Sequence, residues 1–163
     1  MIDSRFNRVL HQLCHHLPVD EVNWALTGSL NLTLQGMDLD VHDVDIQTDK
    51  PGAYEVEQRF SGYLVKKVEF RTSEKIRSHF GELSIEGVKV EILGDIQNPL
   101  PDGTWTYPAD ITMNRKFIDY HGMSLPVMSL EYECEVYIRL GRKERAEQIK
   151  RFLERSRIST GSV

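Results

Sequence analysis

Asp43 and Asp45 stand one residue apart in the stretch His42 to Thr48, whose polar and apolar residues alternate. In an extended strand successive side chains point to opposite faces. Both carboxylates therefore share one face, while Val44 and Ile46 share the other. A later segment repeats the pattern, with Val88, Val90 and Ile92 on one side and Lys89 and Glu91 on the other. If the two segments lie alongside each other, Asp43, Asp45 and Glu91 become three hard oxygen ligands on one surface. That donor set suits Mg²⁺, which takes carboxylates together with water and substrate phosphates. Two such ions, about 3.5–4 Å apart, can clamp the attacking and leaving oxygens of phosphoryl or nucleotidyl transfer. Upstream, the apolar run Trp24 to Thr27 ends in Gly28-Ser29 and feeds a short helical pattern from Leu30 to Gln35. Glycine lets a phosphate approach the backbone closely and the serine hydroxyl can donate to it. The start of a helix adds unpaired N–H groups and a positive dipole.

Each of these features has a plainer reading. An Asp-x-Asp in an acidic chain is commonly a solvated strand face, and Asp38 and Asp40 form such a pair in a connecting loop. Glu91 has acidic neighbours in Glu82, Glu86 and Asp95, but Val90 and Ile92 must face the core and so leave Glu91 on the opposite side. His11 and His15 have the i, i+4 spacing of a zinc pair, yet no third ligand accompanies them, so they read as surface histidines. Trp105 and Tyr107 are either base-stacking aromatics or loop residues that cover the core. Arg142, Lys143 and Arg145 either reach a phosphate or complement a helix dipole. The chain has no Gly-x-x-x-x-Gly-Lys-Ser/Thr, no Gly-x-Gly-x-x-Gly and no Gly-x-Ser-x-Gly, so the P-loop, Rossmann and hydrolase-elbow readings lack their signatures.

These residues need a scaffold to position them. Asp3 or Ser4 caps a first helix in which Phe6, Val9, Leu10, Leu13 and Leu17 form one apolar stripe, ended by Pro18. Pro51-Gly52 marks a turn before a helix from Ala53 to Phe60, and Tyr63 to Phe70 reads as a strand. Phe80–Ile85 and Val88–Leu93 form a hairpin about Glu86-Gly87. Gly94 to Asn114 reads as a long loop with short extended pieces, followed by a second hairpin within Lys116–Val127, about His121-Gly122. Ser129 then caps a helical region running to about Arg155, interrupted near Gly141, with Glu131 and Glu133 in its first turn suiting the dipole.

The expected fold class is α+β, or mixed α/β, with a single mixed β-sheet flanked by helices and further helices at the C-terminus. One domain spanning residues 1–163 is expected, with a core over about 1–127 and a helical segment over about 129–157. The formal net charge is −5, which argues against bulk binding to a DNA backbone. No run approaches the roughly 20 apolar residues of a membrane helix, and the start of the chain is polar. Two distant cysteines, Cys14 and Cys134, point to a reducing cytoplasm rather than a disulfide framework.

Taken together, Thr27-Gly28-Ser29 through Gly36, His42-Asp43-Val44-Asp45-Ile46 and Val90-Glu91-Ile92 resemble the polymerase-β-like nucleotidyltransferase superfamily. The minimal and antibiotic-modifying branches are the most similar. The resemblance covers about residues 20 to 95, and Gly141-Arg142-Lys143 is similar to the family's basic tail. It implies that Asp43 and Asp45 hold Mg²⁺, with room for two ions, and that Glu91 is the third carboxylate. It also implies that Gly28, Ser29 and Lys143 contact a nucleoside triphosphate such as ATP. The implied reaction is in-line attack of an acceptor hydroxyl on the α-phosphate, with pyrophosphate leaving. The acceptor is left open between a small molecule and a macromolecule, and a homodimer could complete its pocket. Two rival readings stand beside it: a protein of the same fold acting as an antitoxin-like binding or regulatory module with little turnover, and a metal-dependent phosphohydrolase using the same carboxylates. The chain differs from many relatives in having no Arg or Lys between Leu30 and Val41.

Overall fold

The computed structural model describes residues 2–161. Helix α1 (Ser4–His16) starts where the Asp3 carboxylate accepts from the Arg5 N–H. Its buried stripe is Phe6, Val9, Leu10 and Leu13, and Leu17 closes the helix before Pro18. Strand β1 (Trp24–Thr27) is buried throughout and is tied to α1 where the Trp24 indole donates to the Leu17 carbonyl at 2.6 Å. It runs without a gap into α2 (Gly28–Leu34). Strand β2 (Val44–Thr48) follows, then α3 (Lys50–Arg59). Pro51-Gly52 is the first turn of α3 rather than a turn ahead of it. Asp49 caps it by accepting from Gly52 N–H at 2.8 Å, and proline is well placed at a helix start, where its missing N–H goes unused.

A 3-10 turn at Ser61–Tyr63 leads into β3 (Leu64–Thr72), β4 (Arg77–Ile85) and β5 (Val88–Gln97). Glu86 and Gly87 both have positive φ, 55° and 75°, the combination that a tight hairpin with the native strand twist demands. The loop from Gly94 contains the expected extended pieces, with β5 continuing to Gln97 and Pro99 bridging Trp105, and ends in a helical turn that was not expected, α4 (Ile111–Asn114). Strands β6 (Arg115–Tyr120) and β7 (Met123–Met128) form the second hairpin. Helix α5 (Leu130–Arg139), capped by Ser129, and α6 (Lys143–Gly161) follow, separated around Gly141.

The strands make one mixed seven-stranded sheet in the order β3-β4-β5-β2-β1-β7-β6. Pairs β2–β5 and β1–β7 are parallel and the others antiparallel. One side of the sheet carries the main core. Val44 and Ile46 of β2 and Val88, Val90 and Ile92 of β5 pack there with the α1 stripe and with Ala53 and Val56 of α3. Each such side chain contributes roughly 1.5–3 kcal/mol when fully buried. A second cluster joins Leu32 of α2 to Leu130, Cys134 and Tyr137 of α5 and Ile149 of α6. Because the even positions of β2 and β5 are committed to the main core, their odd positions must face the other side. Both cysteines are free, as the sequence led us to expect.

Candidate active site

Strands β2 and β5 are parallel neighbours in direct register, with Val44 opposite Val90, Asp45 opposite Glu91 and Ile46 opposite Ile92. Paired residues in adjacent strands point the same way, so Asp45 and Glu91 emerge side by side on the face away from the main core. Asp43 lies in the extended approach to β2 rather than inside it, since pairing begins at Val44. The three carboxylates predicted from sequence are therefore brought to one face. Among the described residues no three His, Cys, Asp or Glu side chains close around a single point as a metal cage does. Between Asp43 and Glu91 stands a cation of the chain's own: the Lys89 Nζ lies 3.0 Å from Glu91 Oε1 and 3.5 Å from Asp43 Oδ2.

The electrostatics explain why a cation is drawn there. Burial pushes the Asp45 carboxyl up to about 7, and the neighbouring Glu91 and Asp43 charges push the same way, against a smaller opposing effect of Lys89. An ionised Asp45 beside two like charges calls for more positive charge than one half-exposed ammonium supplies. The donor set is all carboxylate, the chemistry that a hard divalent ion prefers. Asp43, Asp45 and Glu91 thus fit Mg²⁺ in kind, with Lys89 marking where positive charge is favourable.

Gly28 sits against this group. A Cβ on Gly28 would fall 2.6 Å from Asp45 Oδ2, and the residue has φ +75°. Both facts require glycine. Register places Thr27 of β1 opposite Asp45 of β2, so the β1–α2 junction and the aspartate are neighbours by construction. Ser29 follows, half-buried at the start of α2.

Behind the junction lies a residue that the sequence reading assigned only to a helix dipole. Glu133 of α5 is 2% exposed, and its carboxylate accepts from the Thr27 hydroxyl and from Gly28 N–H at 3.1 Å. Gln47 donates to Thr27 Oγ1 at 3.1 Å, and the Tyr132 hydroxyl donates to Gln47 Oε1 at 3.0 Å. Burial raises the Glu133 carboxyl to about 7 even though the Thr27 and Gly28 hydrogen bonds pull it down. One signal was available beforehand. Leu130, Glu133, Cys134 and Tyr137 fall at i, i+3, i+4 and i+7, so an acid occupies the apolar stripe of its helix.

Lys143, the first residue of α6, lies on the wall of a cavity of about 460 Å³ formed with Gly141, Arg142, Glu144, Arg145 and Gln148. The Arg142 guanidinium sits 5.1 Å from the Tyr137 ring centre. Burial raises the Tyr137 hydroxyl above its ordinary range, with Glu133 and Asp45 pushing the same way and Arg142 and Arg145 opposing. Trp105 is held beneath Arg77, 4.6 Å from ring centre to guanidinium, while Tyr107 is 93% exposed. His11 and His15 are both exposed on α1.

Comparisons with known proteins identify the family and the fold. The family model for aminoglycoside-2''-adenylyltransferase matches residues 9–152. A candidate nucleotidyltransferase from Thermotoga maritima is 51% identical, with 95% of this chain and 96% of that one covered and a TM-score of 0.84. The lincomycin-bound lincosamide antibiotic adenylyltransferase LnuA shares the fold at 19% identity, 82% and 84% coverage and a TM-score of 0.50. ANT(2'')-Ia in complex with adenylyl-2''-tobramycin does so at 13% identity, 93% and 97% coverage and a TM-score of 0.53. No curated sequence relative matches. With the acidic strand pair, the Gly-Ser junction and a family match over most of its length, the chain belongs to the aminoglycoside-2''-adenylyltransferase family of polymerase-β-like nucleotidyltransferases.

Proposed function

We propose that this protein is an Mg²⁺-dependent nucleotidyltransferase that moves an NMP from an NTP, with ATP the first candidate, to a hydroxyl of a small-molecule acceptor. Membership of the family supports nucleotidyl transfer in general, and the neighbours whose names specify adenylyl transfer to antibiotics favour ATP and a small acceptor. The observation that carries the reading is the Asp45–Glu91 pair, in register on adjacent parallel strands with Gly28 packed against Asp45. Asp43, Asp45 and Glu91 would hold the metal, which supplies Lewis-acid stabilisation of charge developing on the phosphoryl oxygens. Ser29 and the basic wall of Arg142, Lys143 and Arg145 would bind the triphosphate. Those three residues supply from α6 and its approach the positive charge missing between Leu30 and Val41.

In the reaction the acceptor oxygen forms a bond to the α-phosphorus while the bond to the bridging oxygen of the leaving pyrophosphate breaks. The acceptor proton passes to a carboxylate, and Glu91 is the candidate. Lys89 neutralises Asp43 and Glu91, the charge that a bound divalent ion would supply in its place. The whole chain, residues 1–163, acts as one catalytic unit in this reading, and the cytoplasm, with its NTPs and Mg²⁺, is its compartment. Incubation with α-labelled ATP and Mg²⁺ in the presence of candidate acceptors tests it. Pyrophosphate release with label on an acceptor is expected. Inorganic phosphate as the product would favour a phosphohydrolase, and nucleotide binding without product would favour a regulatory module.

A further inference from the structure

Glu133 is a costly residue to keep where it is, because a carboxylate at 2% exposure has lost nearly all its water. It does not cap its own helix; the Ser129 hydroxyl does that, by accepting from Tyr132 N–H. Its two oxygens reach instead across more than a hundred residues of sequence to Thr27 and Gly28. Thr27 stands at the N-cap position of α2, yet its hydroxyl makes no capping hydrogen bond there. That hydroxyl is turned toward Glu133 and is fixed from the other side by Gln47, which Tyr132 holds in turn. Two consecutive residues of α5 thus grip the end of β1 and the middle of β2. The grip falls where Gly28 has left-handed φ and no room for a side chain against Asp45.

We propose that Glu133 is a positioning residue for the nucleotide: by accepting from the Thr27 hydroxyl and Gly28 N–H it sets Ser29 relative to Asp45 and thereby tunes NTP affinity, without touching the substrate. This rests on the nucleotidyltransferase reading above and sharpens it. The Gly28 N–H is committed to Glu133 and the room left by its missing side chain is taken by the Asp45 carboxylate, so the donation to phosphate falls to Ser29. A simple staple between α5 and the sheet would contribute to stability alone.

Glu133→Gln separates the two roles, because a carboxamide matches one donor and opposes the other. Thr27→Val cuts one of the same bonds from the other end. In the full-length protein, Glu133→Gln should raise the KM for ATP by about 10-fold, the scale of one lost charge-assisted hydrogen bond. The kcat at saturating ATP should stay within about threefold of wild type. Mn²⁺ affinity measured without nucleotide should be unchanged, and Thr27→Val should shift KM the same way by less. An unchanged KM, with or without a fall in Tm, overturns the proposal, as does an equal loss of nucleotide and Mn²⁺ affinity. If wild type turns over no NTP, the catalytic reading fails and the clamp is read from amide exchange. Gly28 should then exchange about 10-fold faster in Glu133→Gln while the β2 amides hold. Equal Gly28 exchange in the two proteins overturns the clamp itself.

Discussion

Two acids flank Gly28, the half-buried Asp45 from β2 and the fully buried Glu133 from α5, and burial pushes both up to about 7. Their surroundings differ in kind. Glu133 accepts two hydrogen bonds from Thr27 and Gly28. Asp45 faces Glu91 and Asp43, both acidic, and among the described residues no hydrogen-bond donor is bonded to its carboxylate. A buried acid with its donors in place holds the backbone around it, here the junction that carries Ser29. A half-buried acid among like charges is a site that asks for a cation. The contrast assigns opposite roles to two groups whose affinity for a proton is nearly the same.

The largest effect should come from Asp45→Asn. With Asp45 holding the metal as proposed, its loss is expected to lower the rate of pyrophosphate release by about a thousandfold or more, because several kcal/mol of charge stabilisation would go with the ion. The Tm should hold or rise, since a buried like charge has gone. A variant that loses activity only in proportion to lost stability would erase the distinction drawn between the two acids.

Gly28→Ala should damage both sides at once. The added methyl meets Asp45 Oδ2 and the residue keeps a left-handed φ, so a stability loss of about 1–3 kcal/mol is expected by denaturant titration. Activity should fall further than that loss explains, because the methyl pushes on the carboxylate itself.

Stability should also depend on pH in a direction that the two acids set. Asp45 and Glu133 have folded pKa values near 7, above the 3.8 and 4.5 of the free side chains. Between those limits the native state binds more protons than the unfolded chain, so metal-free stability falls as pH rises from about 4.5 to 7 and levels off above. Each acid contributes on the order of 3 kcal/mol to that slope. Asp45→Asn should flatten the profile by one acid's share, and saturating Mg²⁺ should offset the wild-type loss near neutral pH. A flat wild-type profile in urea unfolding at pH 5 and pH 7 would contradict the raised folded-state pKa of the two acids.

Tyr132→Phe is the mildest probe. It removes the donor to Gln47 Oε1 and leaves that buried oxygen without it, at a cost of about 1 kcal/mol. KM for ATP should move slightly upward, in the same sense as Glu133→Gln. A downward move would disconnect Gln47 from the junction.

The strand-borne half of this arrangement was legible in the sequence. Alternation in His42–Thr48 and Val88–Leu93 tells which face each side chain takes, because the core claims Val44, Ile46, Val90 and Ile92. The turn residues Glu86-Gly87 and the caps Asp3 and Ser129 likewise act within a few residues of their own position. The helix-borne half was not legible. That Glu133 closes on Thr27 and Gly28 depends on how α5 packs across the sheet, a tertiary fact with no local pattern beyond an acid inside an apolar stripe. The Lys89 bridge is intermediate: its face was readable, but not that its ammonium would settle between Asp43 and Glu91. The Pro51-Gly52 reading missed because proline opens helices as readily as it opens turns.

The central claim is that the face shared by Asp43, Asp45 and Glu91 holds the metal. A crystal structure of the full chain with Mn²⁺ and a non-hydrolysable ATP analogue tests it most directly, through the anomalous signal of the ion. The account predicts anomalous density among those three carboxylates, with the Lys89 ammonium displaced from between Asp43 and Glu91 and the triphosphate running toward Ser29 and Lys143. Ordered nucleotide with the Lys89 bridge intact and no ion on that face would contradict it.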